Sequence, residues 1–270
     1  MDRYAVLGQP VAHSLSPRIQ TLFARQTGQA MEYGAIEVAP DAFASTLARL
    51  HDEGWRGFNV TLPHKLAALQ ACETVSERAR IAGAVNTLIH SDTGWRGDNT
   101  DGEGLVRDLH RLGFAVARKK IVVLGAGGAA RGILRALLDE KPSELVIANR
   151  NPWKPELIAK EFAPHGAIRP GTFQTLKGDR FDLVINATSA GHRGEAPRLP
   201  ENIVNAGGAC YDLSYGKAFA PFAAWAKSQR ATRIADGLGM LVEQGAVSFE
   251  LWRGQRPATG DVMAALRAAP

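Results

Sequence analysis

Cysteine is scarce: only Cys72 and Cys210 occur in 270 residues, and they belong to no CxxC pattern. That argues against a disulfide framework or a redox dithiol and fits reduced, structural thiols in a cytosolic protein. No apolar run approaches the roughly 20 residues that a membrane helix needs. The opening MDRYAVLG enters a strand at once and lacks the apolar core of a signal peptide, so a cytoplasmic location is expected. The 7 histidines form no HExxH or related cluster, and no metal site is expected. Internal repeats and low-complexity tracts are missing as well.

What is present is ordinary in bulk. Hydrophobic residues make up 45% and charged residues 22%, the balance of a soluble globular protein. A chain of this length buries a large core, in one domain or two. The net charge of +5 suits small anionic ligands. Lys and Arg are scattered, and the short cluster RKK (118–120) leads straight into a strand, so neither nucleic acid nor membrane is an expected partner.

Apolar periodicity predicts strands at 4–8, 32–38, 57–61, 84–90 and 94–98, with helices at 17–28 and 41–54 that each close on Gly. A second series has strands at 119–125, 143–150, 181–188 and 207–213, and helices at 127–140, 237–254 and 258–269. A capped helix over 98–113 reads as a rigid connector. Strand–helix alternation implies α/β architecture with a mainly parallel sheet, arranged as two α/β lobes with a cleft between them.

VVLGAGGAAR (122–131) follows a strand and opens a helix. Gly125, Gly127 and Ala130 fit the GxGxxG/A spacing of dinucleotide turns. Gly125 permits the tight turn, Gly127 lets backbone approach a pyrophosphate, and Ala130 allows close helix packing. The next strand ends in Asn149 and Arg150, with Lys154 close behind, where an NAD site usually carries a carboxylate. Guanidinium and ammonium groups favour an added 2′-phosphate, so NADP is the expected cofactor.

In the first half, GQPVAHSLSPRI (8–19) places Ser14 and Ser16 before a helix whose first turn holds Pro17, a start that can bind a carboxylate. FNVTLPHK (58–65) alternates so that Phe58, Val60 and Leu62 form a buried face, while Asn59 and Thr61 share the other. Pro63 then suits the first turn of a helix, and Lys65 falls in that turn, where a cation opposes the helix dipole. Taken singly, Asn86 reads as a turn residue and Asp101 as a helix N-cap. Together with a nucleotide lobe they suggest a polar ligand site.

The series GQPVAHSLSP, FNVTLPHK, GAVNT, GDNTDG, GAGGAAR, NATSAG and DGLGMLVEQGA resembles that of the shikimate dehydrogenase family, in the same order and over nearly the whole chain. The resemblance implies NADPH-dependent reduction of 3-dehydroshikimate to shikimate in aromatic amino-acid biosynthesis. It implies a substrate-binding catalytic domain at 1–101, a Rossmann-like NADP domain at 102–236, and helices at 237–270 returning to the first. Lys65 and Asp101 would be the catalytic pair. Ser14, Ser16, Asn59, Thr61, Asn86, Tyr215 and Gln244 would contact substrate. Gly125, Ala126, Gly127, Gly128, Ala129, Ala130 and Arg131 would cradle the pyrophosphate. Asn149, Arg150 and Lys154 would meet the adenosine end, and Thr188, Gly237 and Met240 would complete the cofactor site. Where many relatives continue SPxIH this chain has Gln20, expected to be harmless on a helix. NPWK replaces the usual basic run after NR, so Lys154 stands in for an arginine. A dual quinate/shikimate dehydrogenase using NAD, a non-catalytic NADPH-binding regulator and a methyltransferase are the rival readings. Arg150 with Asn149 in place of an acidic residue, and the presence of both Lys65 and Asp101, argue against them. Monomer and homodimer both fit the sequence.

Overall fold

Five consecutive buried residues, Tyr4 to Gly8, mark β1 (Asp2–Gly8) as a strand covered on both faces. The computed structural model describes residues 1–268. Parallel to β1 run β2 (Met31–Glu37) and β3 (Gly57–Val60). With β4 (Thr74–Val75), β5 (Thr87–His90) and β6 (Trp95–Asp98) they form a sheet ordered β2-β1-β3-β5-β6-β4. The β3–β5 and β5–β6 pairings are antiparallel, so this sheet is mixed. The connection 91–94 is far too short for a parallel crossover and can only close a hairpin.

Helices α1 (Ser16–Thr27), α2 (Phe43–Asp52), α3 (Lys65–Ala71) and α4 (Glu77–Ala82) accompany this sheet. Leu47 and Leu50 of α2 share a core with Leu7, Phe58, Leu88 and Trp95. Two local expectations fail near α3. Strand β3 stops at Val60, and Leu62 is 56% exposed instead of lying on the buried face. Pro63 precedes the helix, because the Thr61 carbonyl accepts the His64 N–H in a turn and α3 begins only at Lys65.

After α5 (Asp101–Arg111) comes a second sheet of β7 (Lys120–Leu124), β8 (Glu144–Asn149), β9 (Arg169–Thr172), β10 (Phe181–Asn186), β11 (Val204–Asp212) and β12 (Arg233–Ala235). Its order is β12-β11-β10-β7-β8-β9 and every pairing is parallel. Helices α6 (Gly128–Asp139), α7 (Trp153–Phe162) and α8 (Ala220–Ser228) supply connections. The chain leaves β7 toward β8 and β9, then returns to lay β10 to β12 on the other side. This creates a switch point at the carboxyl ends of β7 and β10, where open α/β sheets bind ligands. Helices α9 (Leu238–Arg253) and α10 (Gly260–Arg267) end the fold. The chain divides into two compact units, Met1–Leu105 with the segment from Leu241 onward, and Val106–Met240.

Candidate functional site

In the first unit, α3 and α5 each present one charged side chain from the first residue of the helix. Lys65 Nζ donates to Asp101 Oδ2, and the two side chains are only 16% and 8% exposed. Asp101 is not the N-cap that its position suggests. Asn99 Oδ1 accepts the Asp101 N–H at 3.1 Å, which frees the Asp101 carboxylate for other partners. Its second oxygen, Oδ1, accepts from Asn86 Nδ2 at 2.8 Å. Asn86 is held in turn, since its Oδ1 accepts the Thr100 N–H and the Thr87 hydroxyl, both at 2.9 Å. The amide cannot flip without setting its NH2 against two donors.

A buried polar chain continues from there. Ser248 Oγ lies 2.8 Å from Thr87 Oγ1, accepts from Asn59 Nδ2 at 3.0 Å, and donates to the Gln244 carbonyl at 3.1 Å. Tyr33 donates to Asn59 Oδ1 at 2.7 Å. Burial pushes the Tyr33 hydroxyl well above its ordinary pKa, against hydrogen bonds with Asn59 and Ser16. Asn59 therefore serves its neighbours with both ends of its amide, whereas the Thr61 hydroxyl makes no hydrogen bond among the described residues. Ser14 Oγ accepts the Ser16 N–H at 3.2 Å at the start of α1. Gln244 Oε1 reaches Thr100 Oγ1 at 3.2 Å and Asn86 Nδ2 at 3.3 Å. Gly104 makes that approach possible, because a Cβ there would lie 2.6 Å from Gln244 Cβ.

Sequence reasoning missed Tyr33, Thr87, Thr100 and Ser248. For Ser248 a signal existed: it stands four residues after Gln244, on the same face of α9. Gln20 is no surface substitution either. It is 1% exposed and donates to the Gly245 carbonyl at 3.0 Å, beside Gln244.

In the second unit, Gly125 adopts φ +107° at the end of β7, and a Cβ there would lie 2.9 Å from the Ala187 carbonyl oxygen. Only glycine fits such a turn. Gly127 starts α6 without a side-chain cap, and a Cβ on Gly127 or Gly128 would meet nothing within 4 Å. Ala126 and Ala129 are half-buried, and Ala130 packs at zero exposure. The turn thus offers uncapped helix amides and open space, which fits a diphosphate. Arg131 is anchored to α7 by a 2.5 Å ion pair with Glu161 and lies over the Phe162 ring. Beyond β8, Asn149, Arg150, Asn151, Pro152 and Lys154 line an open pocket of about 630 Å³. Arg150 and Lys154 are exposed there with no nearby carboxylate lining it, as a 2′-phosphate requires.

Thr188 follows β10, where its N–H and hydroxyl both bond to Asn186 Oδ1 at 3.1 and 2.7 Å. A Cβ on Gly237 would lie 2.2 Å from the Leu213 carbonyl oxygen, so the chain entering α9 presses against the end of β11. Met240 is buried, with its N–H donating to the Tyr211 hydroxyl at 3.3 Å. Tyr215 is half-buried at the start of a short 3-10 turn, Gly216–Phe219. Among the described residues no group of three or more His, Cys, Asp or Glu side chains could hold a metal, and no helix is long and apolar enough to cross a membrane.

A doubly wound parallel sheet with a glycine turn, joined to a second α/β unit that carries a buried Lys–Asp pair, defines a nucleotide-dependent oxidoreductase. Family models narrow the class. The shikimate dehydrogenase substrate-binding domain matches residues 6–88, shikimate/quinate 5-dehydrogenase matches 108–198, and the shikimate 5-dehydrogenase C-terminal domain matches 237–267. The chain is 51% identical over 269 residues to the NADP-dependent shikimate dehydrogenase of Thioalkalivibrio sulfidiphilus, covering 99% of this chain and 98% of that one. It is 52% identical over 268 residues to the enzyme of the same name from Aeromonas hydrophila, with 99% and 98% covered. Shikimate 5-dehydrogenase from Thermus thermophilus, solved with NADP(H) and shikimate, superposes with a TM-score of 0.87 at 34% identity, covering 99% of each chain. This chain belongs to the shikimate dehydrogenase family.

Proposed function

We propose that the chain catalyses the reversible NADPH-dependent reduction of 3-dehydroshikimate to shikimate, with Lys65 and Asp101 as its acid–base pair. The observation that carries the residue assignment is the buried ion pair between side chains from two distant segments, braced on its far side by Asn86. Full-length relatives at about half identity support the reaction.

Bound NADPH supplies the hydride. Reduction of a ketone leaves negative charge on oxygen, which must be stabilised and protonated. The Lys65 ammonium is the donor suited to that oxygen. Asp101 holds the ammonium in place at the positive end of α3, which opposes a cation there. Asn86 fixes the carboxylate plane, so that the Lys65–Asp101 geometry exists before substrate arrives. Ser14, Ser16 and Thr61 bind the substrate carboxylate and hydroxyls, together with the Gln244 amide. Asn59 acts from behind them through Tyr33 and Ser248. The glycine turn from Gly125 to Ala130 holds the diphosphate, and Arg150 with Lys154 the 2′-phosphate. Aromatic amino-acid biosynthesis is the setting, in the cytoplasm, with a small-molecule substrate and no nucleic-acid or membrane partner.

The test is the fall in NADPH absorbance with 3-dehydroshikimate as substrate and NADH as control. Turnover with NADPH and little with NADH is expected. No turnover with either would overturn the reading.

A further inference from the structure

Asp212 is fully buried at the carboxyl end of β11, beside the end of β10, and neither the glycine turn nor the Lys–Asp pair involves it. Its Oδ2 accepts from Asn186 Nδ2 at 3.0 Å and its Oδ1 accepts the Ser214 N–H at 2.8 Å. Because Asp212 takes the NH2 end of the Asn186 amide, the carbonyl end must face the other way. There it receives both the N–H and the hydroxyl of Thr188. The backbone at 187–188 is the same segment that closes on Gly125, with the Thr188 nitrogen 3.2 Å from where a Cβ would stand. One carboxylate thus sets the sense of one amide, and that amide fixes the loop against the diphosphate turn.

We propose that Asp212 is a positioning residue for the cofactor: acting through Asn186, it holds the Thr188 loop in the conformation that binds NADP(H). The inference rests on the reading of Thr188 as a cofactor contact.

Its chemistry also sets it apart from a residue kept for stability. Burial, together with the nearby Asp236, pushes the Asp212 carboxyl up to about 6, against the hydrogen bonds from Ser214 and Asn186. An ionised carboxylate at neutral pH is therefore held there against its desolvation. Both oxygens meet donors, the Asn186 NH2 on one and the Ser214 N–H on the other. An asparagine that keeps its carbonyl on the Ser214 N–H presents its NH2 to Asn186 and turns that amide round. Thr188 would then face a donor where it now meets an acceptor.

The experiment measures NADPH dissociation constants by fluorescence titration, alongside steady-state kinetics, for Asp212→Asn, Asn186→Ala, the double variant and Thr188→Val. The expected result for Asp212→Asn is a rise in the NADPH dissociation constant on the order of tenfold, the scale of one lost polar contact, with the shikimate KM within about twofold of wild type. In the Asn186→Ala background, Asp212→Asn should add nothing further, the non-additivity of groups acting in series. Should Asp212→Asn fold poorly, Asn186→Ala leaves the carboxylate in place and must weaken NADPH binding by itself. An unchanged dissociation constant in Asp212→Asn, or full additivity with Asn186→Ala, overturns the positioning role. Unchanged binding in Thr188→Val overturns the underlying assignment of Thr188 instead.

Discussion

Asn86 and Lys65 share Asp101 between them: Asn86 Nδ2 donates to Oδ1 at 2.8 Å, while Lys65 Nζ takes Oδ2. The amide does not compete with the ammonium. It uses the oxygen that the ammonium leaves over, and so turns a flexible carboxylate into a fixed one. Asn86→Ala should lower kcat by up to about 10²-fold through lost alignment. It should also destabilise the fold by about 1–3 kcal/mol for each group it strands, chiefly the buried Thr100 N–H. Urea unfolding and steady-state kinetics on the same preparation check both effects.

Arg150 and Lys154 stand exposed in the pocket at the end of β8, where a carboxylate would select NAD. Lys154 also lies over the Trp153 ring, its Nζ 5.6 Å from the centroid, so Arg150 is the freer of the two cations. Arg150→Asp should cut the NADP over NAD preference by roughly ten- to a hundredfold, the worth of one charge-assisted contact. The ratio of kcat/KM values for the two cofactors measures it.

Gly104 on α5 admits the α9 backbone, since a Cβ there would sit 2.7 Å from the Gln244 nitrogen and 2.6 Å from its Cβ. Gly104→Ala should push Gln244 out of reach of Thr100 and Asn86 and cost about 1–3 kcal/mol in overpacking. A higher KM for shikimate, with the NADP KM unchanged, is the kinetic signature to look for.

Asp98 carries the loop that leads to Asp101. Burial raises its pKa, but hydrogen bonds from Arg78 and Ser76 outweigh that and hold the carboxyl below its ordinary value. A carboxyl whose pKa is depressed by folding adds stability that is complete above the unfolded-state pKa. That stability is lost as pH falls through the folded-state pKa. Unfolding free energy should therefore decline on acidification below about pH 4, and Asp98→Asn should make that decline shallower. A variant as steep as wild type would remove Asp98 from the effect.

Much of this architecture is legible in the sequence, and the gaps have physical causes. The strand–turn–helix around Gly125 is a local pattern with one geometric meaning, and both β7 and α6 lie where periodicity predicts them. Helix α7 was hidden by Pro155 in its first turn, which reads as a breaker although no helix bond needs that N–H. The mixed character of the first sheet depends on the short link between β5 and β6, which apolar alternation does not register. Around Lys65, the residues themselves stand out by type and spacing, but their partnerships do not. Nothing in GAVNT says that one asparagine amide meets Thr87, Thr100, Asp101 and Gln244 at once. Tyr33 stays invisible for the same reason: a lone hydroxyl shows its purpose only when distant elements meet it.

The central claim is that Lys65 supplies the charge and the proton at the substrate oxygen. Steady-state kinetics of Lys65→Ala test it most directly. A fall in kcat of about 10²–10⁴ with the shikimate KM little changed is the predicted result. Turnover near that of the unaltered protein would contradict the account.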